Sequence, residues 1–207
     1  FTLYALLAQA VEISSDYSSI TFYLNPKARF HDGSQVLAQD VKTSIEILRD
    51  KGLPRYRQYY SRIEKMEILH PCIIKISFKP LENGKYDPEL PFIIANLRVL
   101  KKDQIENINF ADSGLTKIIG TGPYKIDSVD QGRYITLKRD PNYWAKDLPI
   151  KKGFYNFDFI KIEYFKNAQA QFQAFGAGEY DVHFEANPNQ WESAYNFSAV
   201  KDGRVKK

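Results

Sequence analysis

Four short blocks of turn-forming residues, in a fixed order, constrain the fold of this chain more than any other feature of its sequence. They are Phe30–Gly33, Gly120–Tyr124, Asp140–Trp144 and Gly178–Asp181. Each combines Gly, Pro, Asp or Asn with an aromatic residue, which is typical of a tight turn beside a strand or a helix. None carries side chains arranged for catalysis. The blocks therefore predict a scaffold of short elements joined at defined junctions.

Between the blocks, the hydrophobic pattern alternates between the helical and the strand period, which predicts a mixed α/β fold. Residues 38–49 place Val41, Ile45 and Leu48 on one face of a helix. Residues 63–78 and 123–139 each contain two apolar runs around a turn, so we predict two antiparallel hairpins. Further predicted elements are strands at 20–24, 160–165 and 180–184 and a helix at 168–177 that ends at Gly178.

The basic charge of the chain does not predict nucleic-acid binding. The net charge is +4 and the sequence pI is about 8.9. Lys and Arg are interleaved with acidic residues, whereas a nucleic-acid site needs them clustered on one face. We interpret the excess charge as a solvated surface.

The sequence contains no signature of catalysis or of a metal site. Cys72 is the single cysteine, which excludes an internal disulfide and a Cys-based zinc site. His31, His70 and His183 lie far apart and lack the spacing of metal ligands. The Gly120–Tyr124 block lacks the third glycine of a dinucleotide fingerprint and the Lys of a phosphate loop. We therefore predict no enzyme activity, no metal and no cofactor.

In this order, the four blocks resemble the extracellular solute-binding proteins of family 5, the peptide and nickel receptors that feed ABC importers. Residues 56–60 and 142–158 are similar to the YejA-like branch, whose members bind oligopeptides and peptide antibiotics. The resemblance implies a lobe like that of type II periplasmic binding proteins. Leu37 stands where the family usually has a Thr as helix cap, so we expect the cap and its reciprocal bond with Asp40 to be missing.

Family members are longer and have two lobes around a cleft. The resemblance therefore implies that residues 1–207 form a single, partial N-terminal lobe, that the fold is incomplete and that the second lobe is absent. On this interpretation the chain is a fragment of a receptor that captures peptides in the periplasm for an ABC permease in the inner membrane. Whether a separately encoded second lobe exists stays open. The alternative is a non-transporting relic, or a basic interaction domain that uses the same fold.

The resemblance also bears on cellular location. It implies a periplasmic protein, although the chain itself contains no signal peptide, because residues 1–10 have neither a basic start nor a small-residue cleavage site. We expect the export signal to lie upstream of residue 1 or to have been lost.

One group of candidate peptide-binding residues follows the first helix. It combines aromatic rings with an arginine at an expected connection between helix and strand. Rings could cover the side chains of a peptide, and Arg57 could bind a carboxylate through a forked bond. Packing inside the domain is the alternative role. The members are Tyr56, Arg57, Tyr59 and Tyr60.

A second group of candidates follows the strand predicted at 180–184. It consists of Glu185, Asn187 and Trp191. The end of a strand is a suitable place for the chain to cross toward a second lobe, so we expect these side chains to face a ligand. A polar surface loop is the alternative.

Overall fold

A computed structural model describes residues 4–106 and 116–206 of the chain. The backbone forms two compact units. The first comprises Phe1–Val129 and Thr136–Ile160, and the second comprises Asp130–Ile135 and Lys161–Lys207. Both contain helical and extended segments, so the prediction of a mixed α/β fold is confirmed. Within the described ranges no helix has the length and apolar character needed to cross a bilayer.

The main sheet of the first unit is antiparallel and has the strand order β1-β2-β4-β3. Its strands are β1 (Ala8–Ile13), β2 (Ser19–Leu24), β3 (Ile63–His70) and β4 (Ile73–Phe78). β3 and β4 pair around a tight turn, which confirms the hairpin predicted at 63–78. Strand β1, which the sequence pattern did not predict, pairs with β2 along the edge of the sheet.

Helix α1 (Ala38–Lys51) belongs to the main core together with this sheet. Its three apolar residues at helical spacing, Val41, Ile45 and Leu48, are all buried, as predicted. Ile74 on β4 belongs to the same core. The apolar side chains that recur at helical spacing along α1 and at every second residue of β4 are therefore buried in one core. Each side chain of this size contributes about 1.5–3 kcal/mol when it is fully buried.

The start of α1 corrects one expectation. Leu37 occupies the cap position and has no side-chain oxygen, so the Thr cap is missing as predicted. The Asp40 carboxylate nevertheless accepts the Leu37 backbone N–H at 2.8 Å, so half of the reciprocal pair is formed. Asp40 also accepts the Lys102 N–H at 3.0 Å. One turn later, the Ser44 hydroxyl donates to the Asp40 carbonyl and accepts the Leu100 N–H. These bonds fix the 100–102 segment against α1.

Residues 56–60 are helical, whereas we had expected a connection between a helix and a strand. Helix α1 ends before Gly52, as predicted, but Pro54 then occupies the first position of helix α2 (Pro54–Tyr60). A proline is well suited to that position because it needs no hydrogen bond there. Two further short helices of this unit are α3 (Leu90–Ala95) and α4 (Lys102–Ile105).

A second sheet has the order β5-β6-β7. Its strands are β5 (Tyr124–Asp130), β6 (Tyr134–Arg139) and β7 (Phe159–Glu163). The loop between β5 and β6 is too short for a parallel crossover, so these neighbours form an antiparallel hairpin. The hairpin predicted at 123–139 is thus confirmed. A single 3-10 turn, Pro149–Lys151, lies between β6 and β7.

The second unit contains helices α5 (Ala168–Ala177), α6 (Pro188–Ser193) and α7 (Ser198–Lys201). The bounds of α5 are those predicted. Gly178 ends it with a φ of 81°, the left-handed conformation that favours glycine. Phe175 is buried in a cluster of aromatic rings, which accounts for the inward face of the helix.

The strand predicted at 180–184 is wrong. The segment forms no strand in the structure, and Val182 and Phe184 are 66% and 89% exposed. A strand needs the backbone of a neighbouring strand as its hydrogen-bond partner. This segment is held instead through the Tyr180 side chain, whose hydroxyl lies against the Gln171 carbonyl and His183 Nδ1. Local side-chain bonding therefore decides the path of this segment, although its residue pattern alternates.

Candidate functional site

The first two sequence blocks are joined by His31. Its Nε2 donates to the Gly122 carbonyl at 2.9 Å, and its Nδ1 accepts the Gly120 N–H at 3.2 Å. The His31 backbone N–H also donates to the Gly120 carbonyl. These partners require the proton on Nε2 and a free lone pair on Nδ1. We call this set of three bonds the histidine clamp.

The third block extends the same arrangement. The Lys125 ammonium contacts both the His31 carbonyl and the Asp140 carboxylate, at 3.2 and 3.1 Å. The Trp144 indole N–H donates to the Thr121 carbonyl. The Trp144 ring packs on the small core that includes Phe30. The blocks at 30–33, 120–124 and 140–144 thus stabilise one another, and their role in the structure is packing and turn formation, as predicted.

A charged contact fixes the turn of the first block. Lys101 forms an ion pair with Asp32. Hydrogen bonds from Lys101 and then from Ser34 lower the pKa of Asp32 from 3.8 to about 2. Asp32 is therefore ionised over the physiological range, and its carboxylate is engaged by the Lys101 ammonium and the Ser34 hydroxyl within the turn.

The first group of candidate residues divides between core and surface. Tyr60 is 3% exposed and belongs to the main core, and burial raises its pKa to about 12. Its ring stacks on Tyr56, with centroids 5.9 Å apart. Tyr59 is 41% exposed and free to meet a ligand. The Nε of Arg57 donates to the Gly52 carbonyl at 2.8 Å, which commits part of this guanidinium to the end of α1.

Beside Tyr56 the first unit has a pocket of about 310 Å³, which sequence reasoning missed. Its lining comes from α1, α2 and the segment after α3. The lining residues are Leu48, Tyr56, Asn96, Arg98 and Leu100. The one local signal for it was a charged residue in the apolar run 97–100.

The second group of candidate residues lies in the second unit. The Glu185 side chain is 7% exposed. It accepts the Asn187 backbone N–H at 2.7 Å and the Tyr195 hydroxyl at 3.4 Å. The Nε2 atom of His183 lies 3.5 Å from the same carboxylate oxygen as the Tyr195 hydroxyl. Glu185 is thus the centre of a polar network inside an aromatic cluster.

Asn187 and Trp191 take different places. The Asn187 side chain caps α6 by accepting the N–H groups of Asn189 and Gln190. Trp191 is 43% exposed, and its ring lies 5.3 Å from that of Tyr195. The two candidate groups belong to different units, so their roles in ligand contact stay predictions.

Across residues 4–106 and 116–206, no three His, Cys, Asp or Glu side chains are grouped so that they could hold a metal ion.

Comparison with known sequences gives the class and then the family. The sequence model that describes the middle part of bacterial extracellular solute-binding proteins, family 5, matches residues 2–206. The chain therefore belongs to the family 5 solute-binding proteins.

Relatives place the chain in the YejA-like branch. A Brucella melitensis protein named as a binding protein is 43% identical over 99% of this chain. In Agrobacterium fabrum, the "Peptidoglycan-binding protein YepA" is 35% identical over 100% of the chain. The "Probable peptide-binding protein YejA" of the same organism is 34% identical over 99% of it. The chain spans 33%, 34% and 34% of these three proteins, about a third of their length.

Solved structures agree with the fold. The agropinic acid complex of AgaA from Agrobacterium tumefaciens R10 superposes with a TM-score of 0.70 at 27% identity, over 84% of this chain and 33% of AgaA. Bacillus subtilis AppA, an oligopeptide-binding protein in complex with a nonapeptide, gives 0.68 at 20% identity, over 93% of this chain and 37% of AppA. The fold is thus that of the type II periplasmic binding proteins, as predicted, and the chain matches 33% and 37% of these two structures.

Proposed function

We propose that this chain is part of the substrate-binding component of an ABC-type oligopeptide importer, which captures peptides in the periplasm for delivery to a permease in the inner membrane. The observation that carries the proposal is the family match over residues 2–206. The relative named for peptide binding supports the ligand class. Family membership also argues against catalysis, because these proteins bind solutes and do not transform them.

On this proposal residues 1–207 supply an N-terminal lobe, and a second lobe supplies the opposite wall of a cleft. A peptide would then be enclosed by closure of the two lobes about a hinge. The exposed Tyr59 and the partly exposed Tyr56 on α2 offer ring surfaces to such a ligand. Tyrosine suits this role because it combines a large apolar contact with a polar tip.

The test is calorimetry with short peptides on two proteins. The first is this chain alone, and the second is a chimera in which it is joined to the remaining two thirds of the Agrobacterium YejA relative. We expect micromolar binding by the chimera and much weaker binding by the chain alone, because a pocket normally encloses most of its ligand. Micromolar binding to the chain alone would contradict the need for a second lobe, and absence of binding by the chimera would contradict peptide capture.

Two variants of the chimera examine the α2 residues. Arg57→Ala and Tyr59→Ala should each weaken peptide binding if the exposed face of α2 contacts the ligand. If both leave affinity unchanged while Arg57→Ala lowers stability, α2 has a packing role and the site lies elsewhere.

The alternative function, a basic interaction domain or a non-transporting relic, makes a different prediction. A basic domain would be retained on heparin and released by salt in a steep series. Retention of the chimera without any peptide binding would favour that alternative over a receptor.

A further inference from the structure

We propose that the pocket beside α2 binds a terminal carboxylate attached to an apolar residue, as at the C-terminus of a peptide. The inference deepens the proposed function and rests on it for its biological meaning, but its test uses small probes and this chain alone. It starts from the lining of the pocket, which combines apolar walls with three polar groups.

The charged group is Arg98. It is exposed and forms no hydrogen bond or ion pair with any residue that the structure describes. Most other arginines of the first unit are engaged, including Arg49 with Asp50 and Arg62 with Asp87. A free guanidinium beside a concave surface is suited to a carboxylate, since its fork of N–H groups matches the two oxygens.

The neutral groups complete the match. The Asn96 amide donates to the Phe92 carbonyl at 2.8 Å, which leaves its side-chain oxygen to accept an N–H from a ligand. The Tyr56 hydroxyl accepts from Arg55 at 3.1 Å, so its own proton is available for donation. A chain terminus presents these complementary groups together, because the carboxylate and the amide N–H are attached to the same terminal residue.

The apolar walls select the side chain. Leu48, Leu100 and the ring of Tyr56 line the pocket, and about 310 Å³ is the lower end of the range for ligand sites. The pocket is therefore suited to one apolar residue and its terminus, and is small for a whole peptide. Because the site is open to solvent, we expect millimolar affinity for an isolated terminal residue.

The experiment follows amide chemical shifts of the chain by NMR during titration with N-acetyl-L-leucine. We expect saturable shifts at Tyr56, Asn96 and Arg98. The neutral N-acetyl-L-leucinamide, which lacks only the carboxylate, should bind at least tenfold more weakly. Equal binding of the acid and the amide would overturn the proposal.

Variants and a smaller probe complete the test. Arg98→Gln should weaken binding of N-acetyl-L-leucine at least tenfold, whereas Arg133→Gln, a change of an exposed arginine of the second unit, should have no effect. Equal loss in both variants would indicate general charge attraction and overturn the site. Acetate that binds as tightly as the leucine derivative would overturn the role of the apolar walls. None of these failures would affect peptide capture by the chimera, so the two proposals fail separately.

Discussion

Asp40 offers the sharpest test of how the first unit is held together. It is 7% exposed, and its two carboxylate oxygens accept backbone N–H groups from Leu37 and from Lys102. One of these donors precedes α1 and the other begins α4. Removal of the carboxylate leaves both donors without their partner in a buried place.

The size of the effect follows from these two bonds. A hydrogen bond to a charged group contributes about 1.5–3 kcal/mol. We expect Asp40→Ala to lower the free energy of unfolding by about 3 kcal/mol or more. Asp40→Asn should cost about half as much, because an amide has one acceptor oxygen and must turn its NH₂ toward the other donor.

Urea denaturation followed by circular dichroism measures these changes. The matched control is Asp50→Asn on the same helix, since Asp50 is exposed and pairs with the neighbouring Arg49. Such a surface pair contributes at most about 1 kcal/mol. If Asp40→Ala unfolds within about 0.5 kcal/mol of the unchanged chain, the two bonds do not stabilise the fold and the reasoning is refuted.

Three further outcomes are expected. The lowered pKa of Asp32 means that its contact with Lys101 stabilises the fold above about pH 4 and that this contribution is lost as the pH falls toward 2. Asp32→Asn should therefore lower the free energy of unfolding at neutral pH by less than about 1 kcal/mol and flatten its decrease between about pH 4 and pH 2. If the acid-unfolding curves of the variant and the unchanged chain coincide, the contact does not stabilise the fold. Gly178→Ala should cost about 1 kcal/mol in urea unfolding from its left-handed backbone alone, whereas Gly122→Ala, which has open space and no positive φ, should cost less. Tyr60→Ala should cost about 3–5 kcal/mol because it empties a core position, and a loss below about 1 kcal/mol would place the ring outside the core.

The elements that the sequence predicted well are those whose cause is local. The two hairpins at 63–78 and 123–139 follow from alternation around a turn, and α5 follows from helical spacing that ends in Gly178. Helix α2 was missed because it has only two turns, and its exposed face carries aromatic and basic residues that blur its period. The segment 180–184 alternates like a strand, but alternation cannot supply the neighbouring edge that a strand requires.

The candidate site shows the same division. The residue types of the first group predicted exposed rings, which Tyr59 provides. They left core packing open as the alternative for the whole group, and they could not separate the buried Tyr60 from the exposed Tyr59, because that choice depends on which elements face α2. The pocket at Arg98 could not be predicted, since its walls come from three segments that only the fold brings together.

The histidine clamp also has a consequence for the time course of folding. Its side-chain bonds join positions 89 and 91 residues apart, and closing a flexible loop of that length costs about 4 kcal/mol of chain entropy. The β3-β4 hairpin, by contrast, pairs residues that are close in sequence and forms early. We therefore expect the clamp to close after the β3-β4 hairpin has formed, so that the first and second sequence blocks meet late in folding.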